Sequence, residues 1–233
     1  MNNLQSSKKT EGIYYIAIGE QMRKPLIRSI ESVHEHLSLP ITIVTNLKGL
    51  PKVENTIEVE YNKKPGYAVK PRFIPELPYD RTLYLDTDTV ILSSDASKPL
   101  RLLTDRYGYE FAAVHGMLRR FSKVSNHTMC TPSFNSGVLF IRKTELVLKA
   151  LKSYQSFYSS LPFNSSEEPH LTRSMLEYKV PTYCLPCEWN YRGLGLKNYK
   201  DIRILHHRTY FKPVKSWFKH HFFEHLKFVL NNS

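Results

Sequence analysis

Long apolar runs are missing from this 233-residue chain: no stretch of about 18 apolar residues occurs, so no transmembrane helix is expected. Cysteine is scarce. Cys130, Cys184 and Cys187 are an odd number without dense spacing, which excludes a disulfide framework. Cys184-Leu-Pro-Cys187 is a lone C-x-x-C with no second pair to complete a zinc site. It runs into Glu188-Trp189-Asn190 and a glycine-containing loop rather than a helix start, so two ordinary thiols are the expectation. Glycine is also sparse where a phosphate loop would need it, since Gly19-Glu-Gln-Met-Arg-Lys is not glycine-rich. Acidic residues are outnumbered, 21 against 33 lysines and arginines, giving a net charge of +12. Such an excess suits nucleotide phosphates, nucleic acid or an anionic membrane surface. No zinc-finger spacing or RNP-type aromatic signature accompanies it, so nucleic acid is not expected as a partner.

Residues 1–11 are polar, carry Lys8 and Lys9, and lack the apolar stretch of a signal peptide. They read as a loose tail. Taken as a whole gene product, the chain is expected in the cytosol; a catalytic domain trimmed from an anchored protein would read the same. Asn126-His-Thr and Asn164-Ser-Ser match the glycosylation sequon but carry little weight without a secretory signal.

What is present is a strand–helix alternation. Ile13–Ile18 is a buried-strand signal, followed by a helical face of Leu26, Ile30, Val33 and Leu37, with Pro25 near its start and Pro40 closing it. Ile41–Val44 and Thr56–Val59 are further strands. This order opens a parallel α/β sheet. A short helix is expected around Phe73–Leu77. Strands follow at Thr82–Leu85, Phe111–Val114 and Gly137–Ile141, with late strands at Thr182–Leu185 and Ile202–Leu205. Residues 115–132 show no periodicity and read as a long loop. Thr144 is placed to cap a helix whose core face is Val147, Leu151, Tyr154 and Tyr158, and a second helix is expected over Glu168–Tyr178. No internal repeat or low-complexity linker divides the chain.

Chemistry concentrates at a strand end. Asp86 and Asp88 follow Leu83-Tyr84-Leu85; two residues apart on an extended chain, they would share a face and could hold a divalent cation at the carboxyl end of the sheet. Mg²⁺ or Mn²⁺ would suit oxygen ligands and a diphosphate. The plain alternative is an acidic turn. Phe134-Asn135-Ser136-Gly137 precedes a strand from Val138, either as a ligand-approach segment or as an ordinary turn. Ile204-Leu205 leads to His206, with Lys212-Pro213 beyond it. His206 could ligate a metal and Lys212 could meet a phosphate, or both could be unremarkable surface groups.

In their order, these segments resemble glycosyltransferases of GT-A fold, in particular the family of glycogenin and the bacterial lipopolysaccharide galactosyl- and glucosyltransferases (glycosyltransferase family eight), of which the chain reads as a divergent relative. The resemblance spans roughly residues 12–217, which it makes the GT-A domain. Tyr84-Leu-Asp86-Thr-Asp88 resembles the family's Y-L-D-x-D segment, Phe134-Asn-Ser-Gly-Val138 its F-N-S-G-V, Trp189-Asn190 its W-N pair, and His206–Pro213 its H-x-x-G-x-x-K-P-W. The resemblance implies a Rossmann-like nucleotide-diphospho-sugar transferase fold, α/β, with a mixed, mostly parallel sheet flanked by helices. It further implies Asp86, Asp88 and His206 as ligands of Mn²⁺ or Mg²⁺, Lys212 on the diphosphate, a UDP-sugar donor, and a glycan or lipid acceptor. The six-residue distance to Lys212 and the strand alternation select His206 over His207. Thr209 stands where the family has glycine, Val214 where it has tryptophan, and Glu168-Pro169 where it has a D-Q pair.

The resemblance also makes Lys70 or Arg72 a candidate donor-binding residue, against the alternative of solvated charges. Asn135, Ser136 and Gly137 are expected to face the donor. Tyr14, Tyr15, Ala17, Thr45 and Asn46 lie where nucleoside pockets form in such folds, although core packing is the expected fate of the tyrosines. Glu168 is the candidate catalytic carboxylate, at the start of a helix whose dipole favours its ionised form, with the adjacent Glu167 as an internal control. Over 218–233, Phe218, Phe222, Leu226 and Val229 share a helical face beside several lysines and histidines. Such a helix either packs on the domain or contacts an anionic membrane peripherally. Two rival functions remain at this point: a sugar nucleotidyltransferase, which would usually carry the missing glycine-rich loop, and a non-catalytic basic protein binding nucleic acid or anionic glycans, which would bind salt-sensitively and without metal.

Overall fold

The computed structural model describes residues 10–61, 68–116, 121–123, 130–159, 166–192 and 199–206. Lys212, Thr209, Val214, His207 and the helix expected at 218–233 lie outside these residues.

Seven strands form one sheet: β1 (Glu11–Ala17), β2 (Ile41–Thr45), β3 (Asn55–Glu58), β4 (Arg81–Leu85), β6 (Phe111–His115), β9 (Phe134–Arg142) and β10 (Thr182–Leu185). Their order across the sheet is β10-β6-β9-β4-β1-β2-β3. All run parallel except β9, which is antiparallel to both β4 and β6. β5 (Thr89–Ile91) and β11 (Ile204–His206) form a small antiparallel ribbon, and β7 (Phe121–Lys123) and β8 (Cys130–Pro132) a second. β1 begins at Glu11, inside the segment read as a tail.

Strand alternation divides the core into two layers. Ile13, Tyr15, Ala17, Leu83, Leu85, Val138 and Phe140 pack with Leu26, Ile30 and Val33 of α1 (Arg23–His36). Tyr14, Ile16, Tyr84, Leu139 and Ile141 pack on the other face with α2 (Val69–Phe73), α3 (Glu145–Ser159) and α4 (Glu168–Glu177). Thr144 caps α3 by accepting the Val147 amide at 3.2 Å, and the predicted face Val147, Leu151, Tyr154 and Tyr158 is buried. Both early tyrosines are core residues: Tyr14 donates to the Phe73 carbonyl at 3.0 Å, and Tyr15 pairs with Ser29 at 2.7 Å.

Three expectations need correction. Residues 115–132 are not all loop, because β7 and β8 pair there; three-residue strands are too short to show periodicity. The short helix is α2, several residues before Phe73–Leu77, with Pro71 in its first turn, where a missing N–H costs no helical bond. Phe134–Gly137 is not a turn preceding a strand but the first part of β9, buried throughout. Its polar side chains find partners among other side chains. β9 is also irregular at this point. From Ala113 to His115, β6 advances two residues, while β9 runs five, from Leu139 to Phe134. A bulge of this kind re-aims side chains near the end of a strand.

Candidate metal centre and its polar surround

Because β9 runs against its neighbours, its first residues stand where β4 and β6 end. Asp86 follows β4 directly, and its amide donates to the Gly137 carbonyl at 2.7 Å. Asp86 and Asp88 do not converge by strand alternation as expected. Residues 86–89 form a turn: the Thr89 amide and hydroxyl both donate to the Asp86 carbonyl, at 3.2 and 2.8 Å. The chain then enters β5, where Thr89 pairs with His206 of β11. That register carries His206 from more than a hundred residues downstream to the two aspartates. His206 Nε2 lies 3.3 Å from Asp88 Oδ1 and 3.8 Å from Asp86 Oδ2. One ligand atom from each of the three residues falls within 4.8 Å of the others.

Gly137 makes room for this. A Cβ built there would stand 2.0 Å from His206 Cε1. The glycine expected to admit a ligand instead admits the imidazole ring.

Lys70 and Arg72 separate clearly. Arg72 is exposed, its guanidinium 5.8 Å from the Tyr61 ring centroid. Lys70 is buried, 2.9 Å from Asp86 Oδ1 and 2.8 Å from Glu167 Oε1, and it donates to the Ser136 carbonyl and hydroxyl at 3.0 Å each. Burial opposes the Lys70 charge, but the Asp86 and Glu167 carboxylates outweigh it and hold the ammonium above the ordinary lysine range. Tyr84 also donates to Asp86 Oδ1, at 2.8 Å. Burial raises the Tyr84 phenol well above its usual range, and the carboxylates of Asp86 and Glu167 raise it further, so it remains a donor. With Oδ1 held by Lys70 and Tyr84, Asp86 turns Oδ2 towards His206.

Glu167 does not serve as an outside control for Glu168. It is buried inside the same cluster, accepting from Ser136 Oγ at 2.8 Å and from the Tyr154 hydroxyl. Glu168, also buried, accepts from Asn135 Nδ2 at 2.6 Å, and Arg192 Nη1 stands 4.0 Å from the same oxygen. Thr172 fixes α4 against β9 by accepting the Phe134 amide at 2.8 Å and donating to the Glu168 carbonyl at 2.9 Å. Asn190 donates to Asn135 Oδ1 at 2.7 Å and meets His206 Nδ1 at 2.8 Å.

The sequence reading did not assign roles to Tyr84, Tyr154, Glu167, Asn190 or Arg192. Tyr84 and Asn190 were within reach, since both sit inside segments carrying the family resemblance. Thr45 and Asn46 hold backbone: Thr45 Oγ1 donates to the Ala17 carbonyl at 2.7 Å, and Asn46 Oδ1 accepts the Gly19 amide at 2.9 Å. Cys184 is exposed and Cys187 half-buried; both are free, and partial burial raises both thiols, the opposite of an activated redox pair.

The donor set fits a divalent cation that accepts oxygen and imidazole nitrogen together, as Mn²⁺ does. Among the described residues, Asp86, Asp88, Glu167 and Glu168 bring four carboxylates to the region, with Lys70 and Arg192 beside them. Asp86 and Asp88 are only partly covered, which leaves their outer side accessible.

No protein-family model and no curated protein matches the sequence. Solved structures do match in fold, and the chain has the GT-A glycosyltransferase fold. The glycosyltransferase GlyE of Streptococcus pneumoniae TIGR4 aligns with a TM-score of 0.58 at 16% identity, over 85% of this chain and 54% of that one. The present chain thus spans about half the length of GlyE. An active-site mutant of LgtC aligns with a TM-score of 0.55 at 13% identity, over 92% and 94% of the two chains. Mouse xyloside xylosyltransferase 1 aligns with a TM-score of 0.55 at 11% identity, over 88% of this chain and all of that one. Among the described residues, no helix is long and apolar enough to cross a membrane.

Proposed function

We propose that this protein is a metal-dependent glycosyltransferase that moves a sugar from a nucleoside diphosphate donor, a UDP-hexose in the first instance, to a hydroxyl of a glycan or lipid acceptor. The observation that carries this reading is the convergence of Asp86, Asp88 and His206 at the carboxyl end of β4 in a GT-A fold. LgtC has been solved with donor and acceptor sugar analogues, and the alignment covers 89% of each chain, which supports the same kind of ligand pair here.

Asp86, Asp88 and His206 would hold Mn²⁺ or Mg²⁺, which supplies a Lewis acid for a leaving diphosphate. Lys70 and Tyr84 keep Asp86 turned towards that position. Lys212 is assigned to the diphosphate on its motif alone, where a cation would stabilise developing negative charge. Asn135 orients Glu168, the proposed catalytic carboxylate, and Arg192 lies beside it. An inverting route would use Glu168 as base on the acceptor hydroxyl. Glu167 is closed into its own network and is assigned support of Lys70.

The test is a panel of nucleotide sugars with Mn²⁺, scored for slow donor hydrolysis, alongside calorimetry of UDP with Mn²⁺. The wild type should bind UDP only with metal and hydrolyse one donor above the rest. Asp88→Ala and His206→Ala should lose metal-dependent binding while staying folded. UDP affinity that is the same with and without metal, or unchanged in both variants, rejects the assignment.

A further inference from the structure

The side-chain amides around His206 can be oriented from one donor whose identity is beyond choice. The Gly137 backbone N–H can only donate, and it reaches Asn135 Oδ1 at 3.1 Å. Asn135 must therefore turn its oxygen to this corner and its Nδ2 away, where it meets Glu168 Oε1 at 2.6 Å. The second group on Asn135 Oδ1 is Asn190, 2.7 Å away. Facing an oxygen, Asn190 has to present Nδ2. Its own Oδ1 is then left facing His206 Nδ1 at 2.8 Å. An oxygen there needs a proton from the ring, so the neutral imidazole carries its hydrogen on Nδ1 and its lone pair on Nε2. Nε2 is the atom that points at Asp86 and Asp88. Asn135, Asn190 and His206 are all buried, so water does not compete for these bonds.

We propose that Asn190 is a positioning residue: it accepts the Nδ1 proton of His206, fixes the ring in the tautomer that can ligate a cation, and through Asn135 ties that ring to Glu168. The metal-binding part of this inference rests on the proposed function, whereas the tautomer does not. One chain of hydrogen bonds runs from the candidate ligand His206 to the candidate carboxylate Glu168, so the two cannot be oriented independently. Outer-shell partners of this kind orient a ligand and set its basicity.

Two variants separate the role from simple packing. Asn190→Asp keeps an acceptor for His206 Nδ1 but loses the donor to Asn135. Asn190→Leu loses both. Each variant breaks the Asn135 bond, so both should melt below the wild type. Calorimetry with Mn²⁺ alone, on the metal-free protein, should nevertheless split them: Asn190→Leu weakens binding about 10–100-fold, while Asn190→Asp stays within about threefold of wild type. Equal Mn²⁺ affinity in Asn190→Leu and wild type overturns the proposal, and so does an Asn190→Asp loss as large as that of Asn190→Leu. A second measurement needs no variant and no metal. Nitrogen-15 NMR of the wild-type ring in its neutral form should show Nδ1 protonated and Nε2 bare. The opposite tautomer overturns the proposal even if Mn²⁺ binds. A wild type that binds no Mn²⁺ but shows Nδ1 protonated rejects the proposed function and leaves the tautomer assignment standing.

Discussion

The two oxygens of Asp86 face two different kinds of chemistry. Oδ2 looks towards Asp88 and His206, on a turn and a short ribbon whose acidic groups remain partly open. Oδ1 looks inward to Lys70, which is closed off with Glu167, Ser136, Tyr84 and Tyr154. The open side gathers the three candidate ligands. The closed side ties its one ammonium to two carboxylates and to Ser136. One carboxylate thus joins a candidate ligand cluster to a buried, bonded one, and perturbations on the two sides should be read by different measurements.

The largest expected effect lies on the closed side. Lys70→Met removes the cation from a buried cluster and leaves Glu167 uncompensated; stability should fall by about 3–5 kcal/mol in urea denaturation of the metal-free protein. Adding Glu167→Gln should recover part of that loss, and failure to do so would mean that the two groups are not a working pair. At the proposed catalytic carboxylate, Glu168→Gln should lower transfer by at least about a hundredfold with donor affinity nearly constant. Steady-state rates and donor titration check this, and near-normal turnover would reduce the site to metal and phosphate binders. Glu167→Gln should do the reverse and register first as lost stability.

Gly137→Ala tests the boundary between the sides. A methyl driven into the His206 ring should cost about 1–3 kcal/mol and weaken Mn²⁺ binding at least about tenfold by moving a ligand. A melting curve and a Mn²⁺ titration together would show whether the ring moves or the strand gives way. The smallest effect belongs to Arg72→Ala, which should leave stability within about 0.5 kcal/mol and donor affinity unchanged. A clear loss of donor affinity there would put Arg72 in contact with substrate.

The contrast also marks how far the sequence could be read. The sheet, α1 and α3 were legible because Ile13–Ile18, Leu26/Ile30/Val33 and Val147/Leu151/Tyr154/Tyr158 follow the periods of strand and helix. Asp86 and Asp88 were legible because they follow an apolar strand. The closed cluster was not, because its bonds join residues far apart: Lys70 to Ser136 spans 66 positions and Asn190 to Asn135 spans 55. Local pattern carries no record of such pairings. Phe134–Gly137 misled for a related reason. Asparagine and serine suggest a turn when water is assumed to satisfy them, and here Glu168, Asn190, Glu167 and Lys70 do so.

The five-against-two mismatch between β9 and β6 also bears on how the chain closes its sheet. A one-residue shift would turn every side chain of a regular strand to the opposite face. β9 has no equivalent neighbouring register. Sliding it would pull Gly137 from beneath His206, break the Gly137 carbonyl bond to the Asp86 amide, and leave Asn135 and Ser136 buried without partners. The register of β9 is therefore fixed from outside the sheet, by the His206 that β11 carries and by Glu167 and Glu168 at the start of α4.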